Sequence, residues 1–196
     1  MLLKWLKQKF DADQAVKQAV EAEPELLHTS LMENLITIKG KFDETEDLDI
    51  REFASCDHRF ALVCMANQFR KDILARAVTE QIMQAKDLPP NPLECYAVIR
   101  DRVIEPTELK EALDWSTALG LLMSGFALVF VDGVERVIAL GLQGFEFRSI
   151  QEPESEVMER GSREGLVEVL RINMSMIRRR MKSTNLKFEV MKIGEE

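Results

Sequence analysis

The sequence predicts an α/β fold: a layered domain with a mixed β-sheet flanked by helices, preceded by N-terminal helices. Three observations lead there. The run Phe60–Ala66 (Phe-Ala-Leu-Val-Cys-Met-Ala) is apolar throughout, as a strand covered on both faces requires. Stretches of helical period flank it, around Leu27–Ile38 and Ile73–Ile82. Two apolar runs, Phe126–Val131 and Val134–Leu140, are separated by Asp132-Gly133, the turn chemistry of a hairpin. Helices interspersed with strands bury their apolar faces by stacking in layers.

Taken in order, Leu2, Leu3, Leu6 and Phe10 fall at helical spacing with Lys4, Lys7 and Lys9 between them. Such a pattern serves a helix docked on the core or one lying on a membrane surface, and docking is the simpler reading. Asp11 or Asp13 caps a second helical piece, and Pro24 restarts the chain. From Glu25 the positions Leu27, Leu31, Leu35 and Ile38 define a core-facing helix that Gly40 is placed to end. The acidic run Asp43-Glu-Thr-Glu-Asp47 reads as a solvated loop. Residues 1–45 are therefore assigned to an N-terminal helical segment packed on the main domain, and 46–196 to the α/β domain.

Leu48–Ala54 is a strand, and 70–86 a helix with Ile73, Leu74, Ala77, Val78 and Ile82 on one face. Leu88-Pro-Pro-Asn-Pro92 is a loop before a short element of open type. Glu108–Ser124 is predicted helical, with Leu109, Leu113, Leu119 and Leu122 inward and Gly125 at the stop. Phe145–Ile150 is a further strand. A helix from Arg163 to about Met181, N-capped by Ser162, places Leu166, Val169, Leu170, Ile177 and Met181 on a shared face. Its last turn holds Arg178, Arg179 and Arg180, where positive charge meets the negative end of the helix dipole. Consecutive residues fan around a helix, so these three cannot share one partner. Leu186, Phe188 and Val190 alternate with charged residues as in a half-buried strand.

With 46% hydrophobic and 31% charged residues, the 196-residue chain has the composition of a soluble globular domain able to bury a core. Its formal charge of −8 disfavours nonspecific binding to nucleic acid. Three unevenly spaced cysteines fit a reducing compartment better than a disulfide framework. No apolar run approaches the roughly 18–20 residues of a membrane span, and the start lacks signal-peptide anatomy.

Catalytic and metal-binding sets are incomplete. Cys56, His58 and Cys64 match no closed zinc spacing, and Cys64 sits inside an apolar strand, where a thiol is a small hydrophobe. His28 has no nearby nucleophile, and no Gly-x-Ser-x-Gly elbow occurs. Glu152, Glu154, Glu156 and Glu159 are better salt-bridge partners for neighbouring arginines than paired acids and bases. Arg160-Gly-Ser-Arg-Glu-Gly165 is shaped like an anion-cradling turn, but it lacks the P-loop pattern and Glu164 would repel a phosphate. The reading is no enzyme, no metal and no cofactor.

The densest signal is the stretch from Arg148 to Arg180. It carries Arg148, Ser149, Ile150, Glu152, Pro153 and Glu156, then Arg160, Gly161, Arg163, Glu164, Gly165, Glu168, Leu170 and Asn173, then Ile177, Arg178, Arg179 and Arg180. In that order and spacing it resembles the signature of the GerA spore germination family, the A subunits of bacterial nutrient germinant receptors. Leu186, Lys187 and Gly194 extend the resemblance, and weaker similarity covers Leu35–Phe53 and Gly125–Gly133. Ser162, Leu166 and Asn67-Gln-Phe depart from the family's usual Pro, Phe and Asp-Gly-Leu.

The resemblance implies the soluble N-terminal domain of a receptor A subunit, a fragment of a longer membrane protein. Its place would be the inner spore membrane, with the domain facing the spore core. Its partners would be receptor B and C subunits and other A subunits, and its role assembly or signal relay in nutrient-triggered germination. Two alternatives stand beside it: direct binding of an amino acid or sugar through the Arg/Glu loop, and a phosphate- or RNA-binding module built on the arginines. The acidic chain argues against nucleic acid.

Overall fold

The computed structural model describes residues 24–43, 45–66, 68, 74–104, 108–141, 166 and 168–191. Ser30 opens the first described helix, α1 (Leu31–Phe42), with an extended backbone and a hydroxyl that accepts from the Glu33 N–H. Leu31, Leu35, Ile38 and Phe42 are buried along it, as their spacing predicts. The helix does not stop at Gly40. Phe42 is fully buried, and the turn that carries it ends at Asp43, which takes φ 46° and donates its N–H to the Gly40 carbonyl.

Strands β1 (Leu48–Ser55) and β2 (His58–Met65) follow as a hairpin. Ser55 pairs with His58, and the two linking residues, Cys56 and Asp57, have φ 49° and 66°. That is the left-handed geometry a two-residue hairpin turn needs, reached here without glycine. A π-helical turn, Ala75–Thr79, runs into α2 (Glu80–Gln84). The short element after the proline loop is a helix, α3 (Pro92–Val98), capped by Asn91 and continued by a second π turn, Ile99–Val103. Then come β3 (Leu109–Ala112), α4 (Trp115–Met123), β4 (Ala127–Val131), β5 (Val137–Leu140) and α5 (Leu170–Arg180).

The five strands form one sheet in the order β1-β2-β4-β5-β3, and every pairing is antiparallel. Helices cover both faces. On one face Leu35 and Ile38 of α1 and Trp115 and Leu122 of α4 pack on Val63, Leu128 and Ala139. On the other, Val78 and Ile82 of the α2 region and Tyr96 and Ile99 of the α3 region pack on Leu62, Val129 and Ile138. This double cover is why β2, β4 and β5 read as unbroken apolar runs although the sheet is antiparallel. The layered α/β domain is thus as expected, but the described strands pair antiparallel rather than as a mixed sheet, and α1 shares a core with the sheet.

Three expectations need correction. The helix expected over Glu108–Ser124 is a strand and a shorter helix. Leu109 to Ala112 pair with Leu140 to Val137, and Asp114, accepting from the Thr117 N–H, starts α4 afresh. Leu113, expected inward, is exposed at the junction. The final described helix begins at Leu170, after extended backbone at Val169, and the expected inner face is outside: Leu166, Val169, Leu170, Ile177 and Met181 are all exposed. Met174, Ser175, Met176 and Arg178 are buried instead. Residues 186–190 do not join the sheet; Phe188 bonds to the loop before β1, with its N–H on Thr45 and its carbonyl accepting from the Glu46 N–H. The expected strand at 145–150, the helices before residue 24 and the cap at Ser162 lie outside the described residues.

Candidate functional site

The acidic run after α1 is not a solvated loop throughout. Thr45 and Asp47 are buried, and Asp47 faces Arg178, whose residue exposure is 0%. Arg178 Nε donates to Asp47 Oδ2 at 2.7 Å and Nη2 to Oδ1 at 2.8 Å. This is the bidentate fork that matches a guanidinium to a carboxylate. Nη1 donates to the Ser183 carbonyl and Nη2 also to the Leu186 carbonyl, each at 2.8 Å. The guanidinium carbon lies 5.8 Å from the Phe42 ring centroid and 5.2 Å from that of Phe188. Hydrogen bonds and aromatic faces together replace the water this cation has lost.

The loop is built to receive it. Thr45 Oγ1 donates to Asp47 Oδ1 at 2.7 Å and accepts the Phe188 N–H at 3.0 Å. The Asp47 carbonyl accepts the Ala66 N–H at 2.7 Å, fastening the loop to the chain leaving β2. At the rim, the Lys187 ammonium pairs with the Asp43 carboxylate. Arg178 therefore joins the end of α5, the segment after it and the loop leading into β1. A guanidinium does not give up its proton at physiological pH, so the arrangement holds segments together and moves no proton.

A second polar cluster lies on the α3 side. The Tyr96 hydroxyl, on a buried ring, donates to Glu111 Oε1 at 2.6 Å, and Arg100 Nη1 donates to the same oxygen at 3.1 Å. The Tyr96 hydrogen bond, followed by Arg100, holds the Glu111 carboxyl below its usual range, while burial pushes the Tyr96 hydroxyl up. Cys64 and Cys95 are buried; burial first, then the Cys56 thiol, pushes the Cys95 thiol up to about 11. Cys56 sits exposed in the β1–β2 turn and the His58 ring nitrogen Nε2 is 2.7 Å from the Pro89 carbonyl. Among the described residues no three His, Cys, Asp or Glu side chains are grouped to hold a metal, and no helix is long and apolar enough to cross a membrane.

Of the residues singled out in the sequence, Arg148, Glu152, Pro153, Glu156, Arg160, Gly161, Arg163, Glu164 and Gly165 lie outside the described residues. Glu168 is exposed ahead of α5, and Asn173 is half-buried within it. The arginine triplet is divided as the helical fan requires: Arg178 buried, Arg179 half-buried, Arg180 exposed. Asp47, Thr45 and Phe188 were not among the sequence candidates. No local pattern marks them, because Asp47 meets Arg178 across 131 residues and Thr45 meets Phe188 across 143.

Among the described residues, then, an antiparallel sheet is covered by helices on both faces, and comparison with known proteins gives this domain a family. The description "Bacillus/Clostridium GerA spore germination protein" belongs to the family model that matches residues 36–196, and the chain belongs to this GerA family. "Spore germination protein KA" of Bacillus subtilis (strain 168) is 31% identical over 180 residues, covering 90% of this chain and 33% of the relative. "Spore germination protein GerLA" of Bacillus cereus is 25% identical over 171 residues, covering 86% and 34%. The chain thus spans about a third of the length of these curated relatives. The crystal structure of the N-terminal domain of the A subunit of the Bacillus megaterium spore germinant receptor GerK3 superposes with a TM-score of 0.65 at 25% identity. That match covers 89% of this chain and 63% of the other.

Proposed function

We propose that this chain works as the N-terminal domain of a germinant receptor A subunit, a non-enzymatic part of nutrient-triggered spore germination that serves receptor assembly or signal relay. Membership of the GerA family and the likeness to the GerK3 A-subunit domain support the receptor setting. The observation that carries the relay role is the Arg178 joint. Because one buried cation holds α5, residues 183–186 and the loop before β1, a displacement of any one of them must move or break the others. In this reading the domain lies beside the inner spore membrane on the core side, and further polypeptide of the same subunit supplies the membrane part. Receptor B and C subunits and other A subunits are its partners, met through residues such as Arg180 and Glu168 and the stretch around Arg148–Gly165.

Binding of RNA or phosphate by the arginine triplet is disfavoured by the same geometry, since Arg178 is buried and already neutralised by Asp47. The test uses spores whose receptor gene carries Arg178→Lys, Asp47→Asn or Arg180→Ala, with receptor abundance followed alongside the rate of nutrient-triggered germination. Lysine keeps the charge and loses the planar fork, so Arg178→Lys is expected to slow germination at similar abundance, whereas Asp47→Asn strands the buried cation and is expected to lower abundance as well. Arg180→Ala is expected to impair germination without altering the fold. Normal germination of all three overturns the relay and assembly role.

A further inference from the structure

The outer face of α1 carries an apolar row left uncovered by the other described residues. Met32, Ile36 and Gly40 stand four residues apart, the spacing of a single ridge along a helix. Met32 is 48% and Ile36 63% exposed, and a Cβ at Gly40 would meet nothing within 4 Å. Beside this ridge Lys39 is exposed and makes no ion pair or hydrogen bond among the described residues. Lys41, by contrast, is held by Glu25 at 2.6 Å.

The chain itself supplies a segment of matching size and chemistry. The described residues begin at Pro24, and Glu25 is tied to the C-terminal turn of α1 by Lys41, while its carbonyl accepts the Trp115 N–H. Polypeptide preceding Pro24 therefore arrives at the end of α1 where the ridge finishes, next to Gly40. In residues 12–23, Ala12, Ala15, Val16 and Ala19 recur at helical spacing, with Asp11 as a capping residue ahead and Pro24 as a stop behind. The segment has as many residues as α1, so the two helices would match at about 18 Å. A helix of that length is marginal alone in water and needs a surface to pack on. Its alanines allow close approach, and the larger Met32 and Ile36 fill the space between two backbones. Glu23, four residues beyond Ala19, continues the same face and would reach the turn that holds Lys39.

We propose that residues 12–23 form a helix lying along α1 in the same direction, seated on the Met32–Ile36–Gly40 ridge, with Glu23 paired to Lys39. Residues 24–30 are then the return connection from the end of α1 to its start. The occupant is this chain's own N-terminal segment, and neither the seat nor its test depends on the receptor role.

The experiment is amide hydrogen exchange, followed by NMR on the full 196-residue chain. Amides of residues 16–23 are expected to be protected. Ile36→Glu would be silent on a bare surface; here it should speed their exchange by about 10-fold or more. Met83→Glu, at a residue 55% exposed on another element, should leave it unchanged. Ala19→Glu should act like Ile36→Glu, and the double variant should exchange no faster than the faster single one, because one contact is lost only once. Glu23→Lys and Lys39→Glu should each speed exchange by about 2- to 5-fold, and their combination should restore protection. Protected amides in the second half of α1 check that each variant folds. The proposal is overturned if residues 16–23 exchange at the unprotected rate or if Ile36→Glu leaves their protection intact. Protection that appears only with vesicles of anionic phospholipid overturns it in favour of a membrane surface. Protection that rises with protein concentration overturns it in favour of a second copy of the chain.

Discussion

Arg178 and Arg100 each grip a carboxylate with two guanidinium nitrogens, at nearly the same distances, in very different settings. Arg100 holds Asp101, its neighbour in sequence, with Nε at 2.6 Å and Nη2 at 2.8 Å, and its side chain is 30% exposed. Arg178 holds Asp47 at 2.7 and 2.8 Å, across 131 residues, with side-chain exposures of 0% and 4%. The first pair restrains residues that are already adjacent and is screened by water. The second closes a loop through most of the chain and leaves two charges that cannot stand alone. Equal geometry therefore does not mean equal consequence; burial and sequence separation decide.

The largest predicted effect breaks the buried pair on one side. Arg178→Ala leaves the Asp47 carboxylate without its counter-charge and two carbonyls without their donor, and should cost about 3–5 kcal/mol. Equilibrium unfolding in urea measures it. Replacing both partners by apolar residues, Arg178→Met with Asp47→Leu, should recover most of that loss, because the penalty belongs to the stranded charge. A double variant no more stable than Arg178→Ala would show that the carbonyl contacts to Ser183 and Leu186 dominate.

Tyr96→Phe tests the milder cluster. It removes one hydrogen bond to Glu111 while Arg100 still serves that carboxylate, so about 1 kcal/mol is expected, with the same unfolding cooperativity. A loss as large as that of Arg178→Ala would erase the distinction between the clusters.

The contrast also explains what the sequence could reveal. Elements whose burial follows a local period were legible: the inner face of α1, the apolar run of β2 and the β4–β5 hairpin. The Asp132-Gly133 turn was visible too, although β5 begins only at Val137. Glycine at 133 fits the close approach, since a Cβ there would meet Pro92 at 2.9 Å. β3 was not legible, because Leu109 and Leu113 keep a helical spacing and only the ladder to β5 makes the segment a strand. The inner face of α5 was misread for a related reason. Apolar periodicity selected Leu170, Ile177 and Met181, whereas the helix docks through Met174, Met176 and a charged residue. An arginine becomes a buried side chain only when a distant aspartate arrives, and no window along the sequence contains both.

The smallest predicted effect concerns pH and the exposed cluster. Glu111 is held below its ordinary value of 4.5, first by the Tyr96 hydroxyl and then by Arg100. A carboxylate whose pKa is depressed in the folded state stabilises that state above the unfolded value. The contribution is lost as pH falls through the folded value, because the unfolded chain then takes up the proton more readily. Its side chain is 35% exposed, so screening limits the contribution to no more than about 1 kcal/mol. Glu111→Gln should therefore lower the urea midpoint slightly at neutral pH. The deficit should shrink as pH falls below about 4.5, where the unfolded carboxyl begins to take up its proton, and vanish once the folded carboxylate is neutral too. Arg100→Ala should show the same trend with a smaller amplitude, since the Tyr96 hydrogen bond remains. A deficit that stays constant from neutral pH to well below the carboxylate range would mean that packing or neutral hydrogen bonding, not charge, accounts for it. The cluster around Arg100 would then owe nothing measurable to its ion pair, and burial would separate it from the Arg178 joint still more sharply.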